Sequence, residues 1–402
     1  VNSHFRSMAL DVPLLWSTID DKLPLPITKL YLERSIDAPL DIRIGSNGPP
    51  AVENGKMAQL FQYLEPHAHR VKALKIVAGD WEPVIRFEKL MDSGISFVGL
   101  EKFEFGRCQG CYAEDRGLPF KLAEPNSLRE LHLWGYELDQ WIDTFPAALR
   151  RLHLSRVSVR MDPLMDVLVE SPGLGVLVFE ECKLSEDEET MIVAESLAEL
   201  QFIMMDPEHM DRFASHIETP ALTSLSVAAS FGTCPGDNEF LVNLVESSEK
   251  ILSVEICDYD LTANDWSAVF SYLPNLTHLR VRASYASDED LQALTIAQTL
   301  PNLTSITLDN ELRLTTRFVE QVAQVHPKLN SIVLRGWDPS NVSEESLVVI
   351  SKLCRNILVE TFKRSSEDEC DEEAESDTSD DLSTEGSWLS GDDHVIGRER
   401  HP

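Results

Sequence analysis

Leu128-Arg129-Glu130-Leu131-His132-Leu133 reads apolar, two residues, apolar, one residue, apolar, and this phrase returns along most of the chain. It recurs as Leu149-x-x-Leu152-x-Leu154, Leu174-x-x-Leu177-x-Phe179, Leu197-x-x-Leu200-x-Phe202 and Leu222-x-x-Leu225-x-Val227. Further copies are Ile251-x-x-Val254-x-Ile256, Leu276-x-x-Leu279-x-Val281, Leu303-x-x-Ile306-x-Leu308 and Leu329-x-x-Ile332-x-Leu334. Weaker copies precede them at Leu100-x-x-Phe103-x-Phe105 and Val71-x-x-Leu74-x-Ile76. The copies are spaced by roughly 21 to 29 residues, a period at which one supersecondary unit repeats and stacks. The last two apolar residues of each phrase are two apart, the spacing of a strand that buries one face.

Downstream of each strand the chain reads as a helix. After Ile256, the residues Trp266, Val269, Phe270 and Leu273 fall at helical spacing, with Thr262 or Asn264 as the N-cap. The helix stops at Pro274-Asn275, and the same stop recurs at Leu300-Pro301-Asn302 and His326-Pro327-Lys328. Proline cannot continue a helix, so each unit ends where the next strand begins. Period and phrase together resemble leucine-rich repeats, which implies an α/β solenoid with parallel strands on the concave face and helices outside. Cys108 and Cys182 fall three residues after Phe105 and Phe179, where such repeats place Asn or Cys. Buried structural thiols are the expectation there.

Composition narrows the function. The formal charge is −33, which argues against nucleic acid as a partner, because phosphates demand a basic face. Thirteen acids and no Lys or Arg lie between Glu367 and Asp393, so much of that charge is local. This tail has almost no apolar content and cannot repay the entropy of ordering. Ser365, Ser366, Thr378 and Ser390 each have an acid three residues on, a pattern that suits acid-directed kinases. Seven cysteines at uneven spacing make no disulfide framework. Cys108-Gln-Gly-Cys111 lacks a second pair at metal spacing and reads as structural. The sequons at Asn275 and Asn302 are simply the Pro-Asn-Leu-Thr junction between repeats, and with Asn341 they carry little weight. Cysteine usage leans intracellular, and a cytoplasmic or nuclear location is expected.

The opening residues do not obey the repeat. Val1, Phe5, Met8 and Ala9 have helical spacing, and Asp11-Val12-Pro13 breaks the helix before Leu14-Leu15-Trp16. Val1, Phe5, Arg6, Ala9, Leu10, Pro13, Leu15 and Trp16 resemble the second half of an F-box. Beyond them, Leu30-Tyr-Leu-Glu-Arg-Ser35 and Ala38-Pro-Leu-Asp-Ile42 are similar to the segment after the F-box in fungal F-box/leucine-rich-repeat proteins. The resemblance implies a substrate-recognition subunit of a cullin-based ubiquitin ligase. Val1, Phe5, Pro13, Leu15 and Trp16 would then contact a Skp1-like adaptor, and the repeats would hold a protein substrate. The first half of the F-box, with its Leu-Pro opening, is absent, so a fragment or truncated gene model is expected and adaptor contact rests on the half present. Residues 1–22 are accordingly assigned to the F-box-like motif and 23–70 to connecting helices and a first irregular repeat. Residues 71–364 form the solenoid and 365–402 the disordered acidic tail. The other reading is a stand-alone interaction scaffold, in which Phe5, Leu15 and Trp16 cover the solenoid's open end.

Residues flanking the last two apolar positions of each phrase point away from the core, into the concave face. There His132, Trp134, Arg151 and His153 form one cluster of candidate partner-binding residues, and His278, Arg280, Arg282 and Arg335 form another. On so acidic a chain these suggest recognition of an acidic or phosphorylated segment, with Trp134 as aromatic anchor. On that reading, reversing charge at Arg280 and Arg282 weakens binding and spares the fold. The competing expectation pairs each cation with a neighbouring acid. Nothing points to an enzyme. There is no phosphate-cradling glycine loop, and His67-Ala-His69 offers two possible ligands with no third, as a solvent-exposed loop would. Neither catalytic residue, metal nor cofactor is expected.

Overall fold

The computed structural model describes residues 3–45, 54–78, 97–107, 127–135, 137–138, 146–185, 191–229, 238–259, 261–282, 286–296, 298–309, 314–337 and 343–360. Each copy of the phrase carries a strand. In chain order the strands are β1 (Thr18–Asp20), β2 (Leu40–Ile44), β3 (Val71–Ala78), β4 (Lys102–Arg107), β5 (Glu130–Trp134), β6 (Glu137–Leu138), β7 (Arg151–Ser155) and β8 (Ser158–Arg160). They continue as β9 (Val176–Glu180), β10 (Lys183–Ser185), β11 (Ile192–Val193), β12 (Glu199–Met205), β13 (Ile217–Glu218) and β14 (Ser224–Ala229). The last five are β15 (Ser253–Cys257), β16 (His278–Arg282), β17 (Ser305–Asp309), β18 (Ser331–Arg335) and β19 (Asn356–Glu360). Fourteen of them form one sheet in the order β1-β2-β3-β4-β5-β7-β9-β12-β14-β15-β16-β17-β18-β19. Neighbouring strands in it are parallel, as one strand per repeat requires. The chain is a leucine-rich-repeat solenoid.

The sheet begins at Thr18, before the start at residue 71 expected from the phrase, and ends with β19. Strands β1 and β2 lack a full copy of the phrase, and the copy at β19 opens on a buried cysteine, Cys354-x-x-Ile357-x-Val359, so a reading keyed to Leu, Ile, Val and Phe misses them. Helices lie on the other side of the core, at Met161–Glu170, Pro207–His216, Glu239–Glu246, Ala263–Ser271, Thr316–Val325 and Glu344–Leu353. That side is more mixed than expected, because it also carries the short parallel ladders β10-β8-β6 and β11-β13. The expectation for the helix after Ile256 resolves on Thr262, whose hydroxyl accepts from the Asp265 N–H while the Asp265 carboxylate accepts from the Thr262 N–H. This reciprocal cap satisfies two otherwise orphaned donors. Trp266, Val269 and Phe270 below it are fully buried.

The core is a column of repeat positions. Leu131, Leu133, Leu152, Leu154, Leu177 and Phe179 are all buried, and each contributes about 1.5–3 kcal/mol by leaving water. Phe179 stacks on Phe202 one strand on, and Phe213 meets both rings edge-on. Cys182 is buried at its expected ladder position, its thiol donating to the Leu154 carbonyl and pushed up to about 11 by burial. Such a thiol is structural, not reactive. Cys108 and Cys111, Asn341 and the acidic tail fall outside the described residues.

The Pro-Asn-Leu-Thr junctions have a structural use. The Asn275 amide donates to the Glu249 carbonyl and the Asn302 amide to the Pro274 carbonyl, both at 3.0 Å. The Thr223, Thr277 and Thr304 hydroxyls likewise donate to Ala198, Leu252 and Thr277 carbonyls. Each turn is thereby fastened to the one before it. Several strands end in a left-handed residue, among them Gly45, Gly135, Arg156, Glu181, Asp258 and Gly336. A Cβ at Gly45 would also lie 2.0 Å from the Val77 carbonyl oxygen. Arg156 and Glu181 offset their left-handed strain by a two-point ion pair with each other.

Candidate functional site

The concave face is built by the parallel register. Lys102, Glu130, Arg151 and Val176 stand level on β4, β5, β7 and β9, and Glu104, His132, His153 and Val178 form the next column. Gly106, Trp134, Ser155 and Glu180 form a third. Successive columns lie two residues apart, so side chains from neighbouring repeats meet directly.

In the first cluster, the Trp134 indole lies on the backbone of β4. A Cβ at Gly106 would stand 1.9 Å from a ring carbon, so glycine there makes the seat. The Lys75 ammonium sits 5.4 Å from the indole centroid, and His132 packs at 4.8 Å. His132 in turn stacks face to face on His153, with centroids 3.9 Å apart and rings 5° from parallel. The far side of His153 meets Glu180 at 3.2 Å. Burial and the neighbouring His153 hold the His132 imidazole down at about 4, and its Nε2 is buried without a partner. Burial lowers His153 as well, against the pull of Glu180. Both rings are therefore neutral at pH 7.

The second cluster is self-neutralised. Arg280 donates to Glu255 at 2.6 Å on one side and to Asp309 at 3.0 and 3.2 Å on the other. Arg282 is paired with Asp258, and Arg335 with Glu360 at 3.3 Å. Arg43 is paired with Asp41 at 2.6 Å in the same way. The expectation of free cations awaiting an acidic ligand does not describe Arg280, Arg282 or Arg335, because the neighbouring repeats supply the carboxylates: Glu255 and Glu360 stand level with Arg280 and Arg335, while Asp309 and Asp258 lie two positions and one position beyond the residues level with Arg280 and Arg282. Those acids are 24 to 29 residues distant in sequence, which is one period. Reading each concave position across consecutive phrases finds Glu255 and Glu360, whereas Asp309 and Asp258 are found only by looking one or two positions further along the neighbouring strand. His278 is exposed and bonds to the Thr277 hydroxyl.

At the N-terminal end, the helix Ser3–Leu10 is followed by a 3₁₀ turn, Pro13–Trp16. Trp16 is half-buried: it meets Tyr31 edge-on at 5.0 Å, lies under the Arg34 guanidinium at 4.6 Å, and donates to the Ala9 carbonyl. Pro13 is half-buried beside it, whereas Leu14 and Leu15 are 64% and 60% exposed. Met8, Leu10 and Val12 extend the same apolar exposure. Val1 and the Phe5 side chain fall outside the described residues. The helix Leu25–Arg34 below is tied down by Arg70, a buried guanidinium that donates to the Leu32 and Ala38 carbonyls and to the Ser35 hydroxyl. His67, within the 3₁₀ turn Glu65–Arg70, contacts that guanidinium at 3.3 Å instead of standing in a solvent-exposed loop. Among the described residues, no three His, Cys, Asp or Glu side chains converge to hold a metal ion, and no helix is long and apolar enough to cross a membrane.

No protein-family model and no curated protein matches this sequence. Among solved structures, the chain is similar to mouse RP105 crystallised with MD-1, at 12% identity over 86% of this chain and 60% of that one, with a TM-score of 0.47. It is also similar to the yeast Rad7 and Elc1 complex, at 13% identity over 82% and 71% of the two chains and a TM-score of 0.42. A Bacteroides fragilis protein aligns at 13% identity over 73% and 76%, with a TM-score of 0.40. It is the strand period and the parallel register that make this chain a leucine-rich-repeat solenoid.

Proposed function

We propose that this chain is the non-enzymatic substrate-recognition subunit of a Skp1–cullin–F-box type ubiquitin ligase, holding a protein substrate on its concave face. The observation that carries the adaptor half of this reading is the exposed apolar run Met8, Leu10, Val12, Leu14 and Leu15 beside the seated Trp16. An end cap would bury those side chains against the first strand. Here Trp16 packs on Tyr31 while Leu14 and Leu15 turn to solvent. So many large apolar side chains left in solvent along one short segment suit a docking surface for another protein. The F-box resemblance names a Skp1-like adaptor as its occupant.

Co-purification with Skp1 tests this. The full chain retains Skp1, and a Leu14→Ser/Leu15→Ser variant loses it without a change in thermal stability. Failure of the wild-type chain to retain Skp1 leaves the second reading, a stand-alone leucine-rich-repeat scaffold. That reading is supported by β1 coming directly after the 3₁₀ turn, which makes the opening residues continuous with the solenoid.

A further inference from the structure

The arginines of the concave face are not equivalent. Arg43, Arg280, Arg282 and Arg335 each hold a carboxylate, whereas Arg151 is exposed and has no carboxylate partner among the described residues. Arg151 borders a depression of about 310 Å³ between β4, β5 and β7, lined also by Lys102, Glu104, Glu130, His132 and His153. Glu104 within it is already committed, since Lys75 and Lys102 reach it at 2.7 and 2.9 Å. Glu130, level with Arg151, lies 3.7 Å from Lys102, so the hollow offers an unspent guanidinium beside two carboxylates that Lys102 already holds. Beyond its opposite end lies Trp134, its seat fixed by Gly106. An indole held in one pose loses little entropy on contact, as the anchor of a binding hot spot should.

We propose that β4, β5 and β7 dock a protein segment that offers an acidic side chain to Arg151 and an aromatic or large aliphatic side chain to Trp134. Arg151 stands level with Glu130, four residues before Trp134 on β5. At a strand rise of about 3.3 Å per residue the two anchors are roughly 13 Å apart along the strand direction. A matching segment in extended form carries its acid and its apolar residue about four positions apart. The stacked, neutral imidazoles of His132 and His153 form the floor between them and add no charge that competes with the acid. This inference rests on the concave face being the partner face. It places recognition in the N-terminal half of that face and removes it from Arg280, Arg282 and Arg335.

The test is a random peptide array probed with the full-length chain, and then fluorescence anisotropy on the strongest binders. The expected binders are enriched in Asp or Glu about four positions from Phe, Tyr, Trp or Leu. Arg151→Gln should weaken them about tenfold and Trp134→Ala tenfold or more, with Trp134→Phe intermediate. Arg335→Gln should leave binding within about twofold. Circular dichroism of each variant guards against a folding defect, and Arg151 is exposed enough to be replaced without one. Enrichment of basic peptides, survival of binding in Arg151→Gln, or no binder at all overturns the proposal. Ser226→Arg separates the two levels: binders that ignore Arg151 but are lost in Ser226→Arg overturn this site and keep the concave face. Retention of Skp1 at the N-terminal patch is independent of every one of these outcomes.

Discussion

The Trp134 indole rests on Gly106, one strand away, at a separation that leaves no room for a Cβ. A residue from one repeat thus sets the pose of a candidate anchor in the next. Gly106→Val forces the ring off its seat. Because a surface ring can swing clear, the expected cost is about 1 kcal/mol, the value of its contacts, and not unfolding. Urea denaturation measures that loss. The Trp134 contribution to fluorescence, taken as the difference from Trp134→Phe, should shift toward that of an exposed indole. An unshifted spectrum with normal stability would show that the seat is not needed.

The His132–His153 stack makes stability acid-sensitive. Glu104, Lys75 and Lys102 face His132, while Glu180 and Arg151 act on His153. Burial outweighs the carboxylates and lowers both imidazoles, His132 to about 4. Between that value and the ordinary value near 6.5 the unfolded chain binds more protons than the folded one. The pair's contribution is therefore fully present above about pH 6.5 and is lost as the pH falls toward 4. Denaturant melts of wild type and His132→Gln across this range should converge on acidification. Parallel pH profiles would refute the linkage.

Arg280 bridges Glu255 and the nearly buried Asp309, whose second oxygen has no partner. Reversing its charge brings three carboxylates together across adjacent strands. Arg280→Glu should destabilise the fold by about 3 kcal/mol or more, and Arg280→Gln by about 1–3 kcal/mol. Adding Asp309→Asn to Arg280→Gln should recover part of the loss, since the stranded charge is gone. A double-mutant cycle in guanidinium chloride measures the coupling. Additive losses would mean that the bridge is not formed in solution. The expectation that charge reversal here spares the fold is replaced by this one.

Arg70 donates to the Leu32 carbonyl in the last turn of the helix Leu25–Arg34, the element that carries Tyr31 and Arg34 against Trp16. Arg70→Met keeps the apolar stem and removes the donors. The expected cost is about 2–3 kcal/mol, because the Leu32 and Ala38 carbonyls and the Ser35 hydroxyl lose a charged partner. Limited proteolysis should first cut the N-terminal segment around Pro13–Trp16. Uniform loss of the whole solenoid would place Arg70 in the global folding unit instead.

The recurring phrase by itself determined the period, the strand positions, the buried columns and the class of fold. It also picked out which side chains face the concave side, because alternation in a strand is a local property of the backbone. Thr262 and the Asn275 and Asn302 junctions were visible as residue types, but their partners lie three residues and one repeat away respectively. Tertiary structure alone decided the rest. Whether a concave arginine is spent or free depends on which side chain the parallel register places beside it, some 24 to 29 residues distant. Arg280 meets Asp309 and Glu255, while Arg151, level with Glu130 on β5 and Val176 on β9, forms no ion pair with either, and Glu130 lies 3.7 Å from Lys102 instead. The pattern within one repeat says where a side chain points. The stacking of repeats sets what it meets, because in a solenoid the nearest neighbour in space is one full period away along the chain.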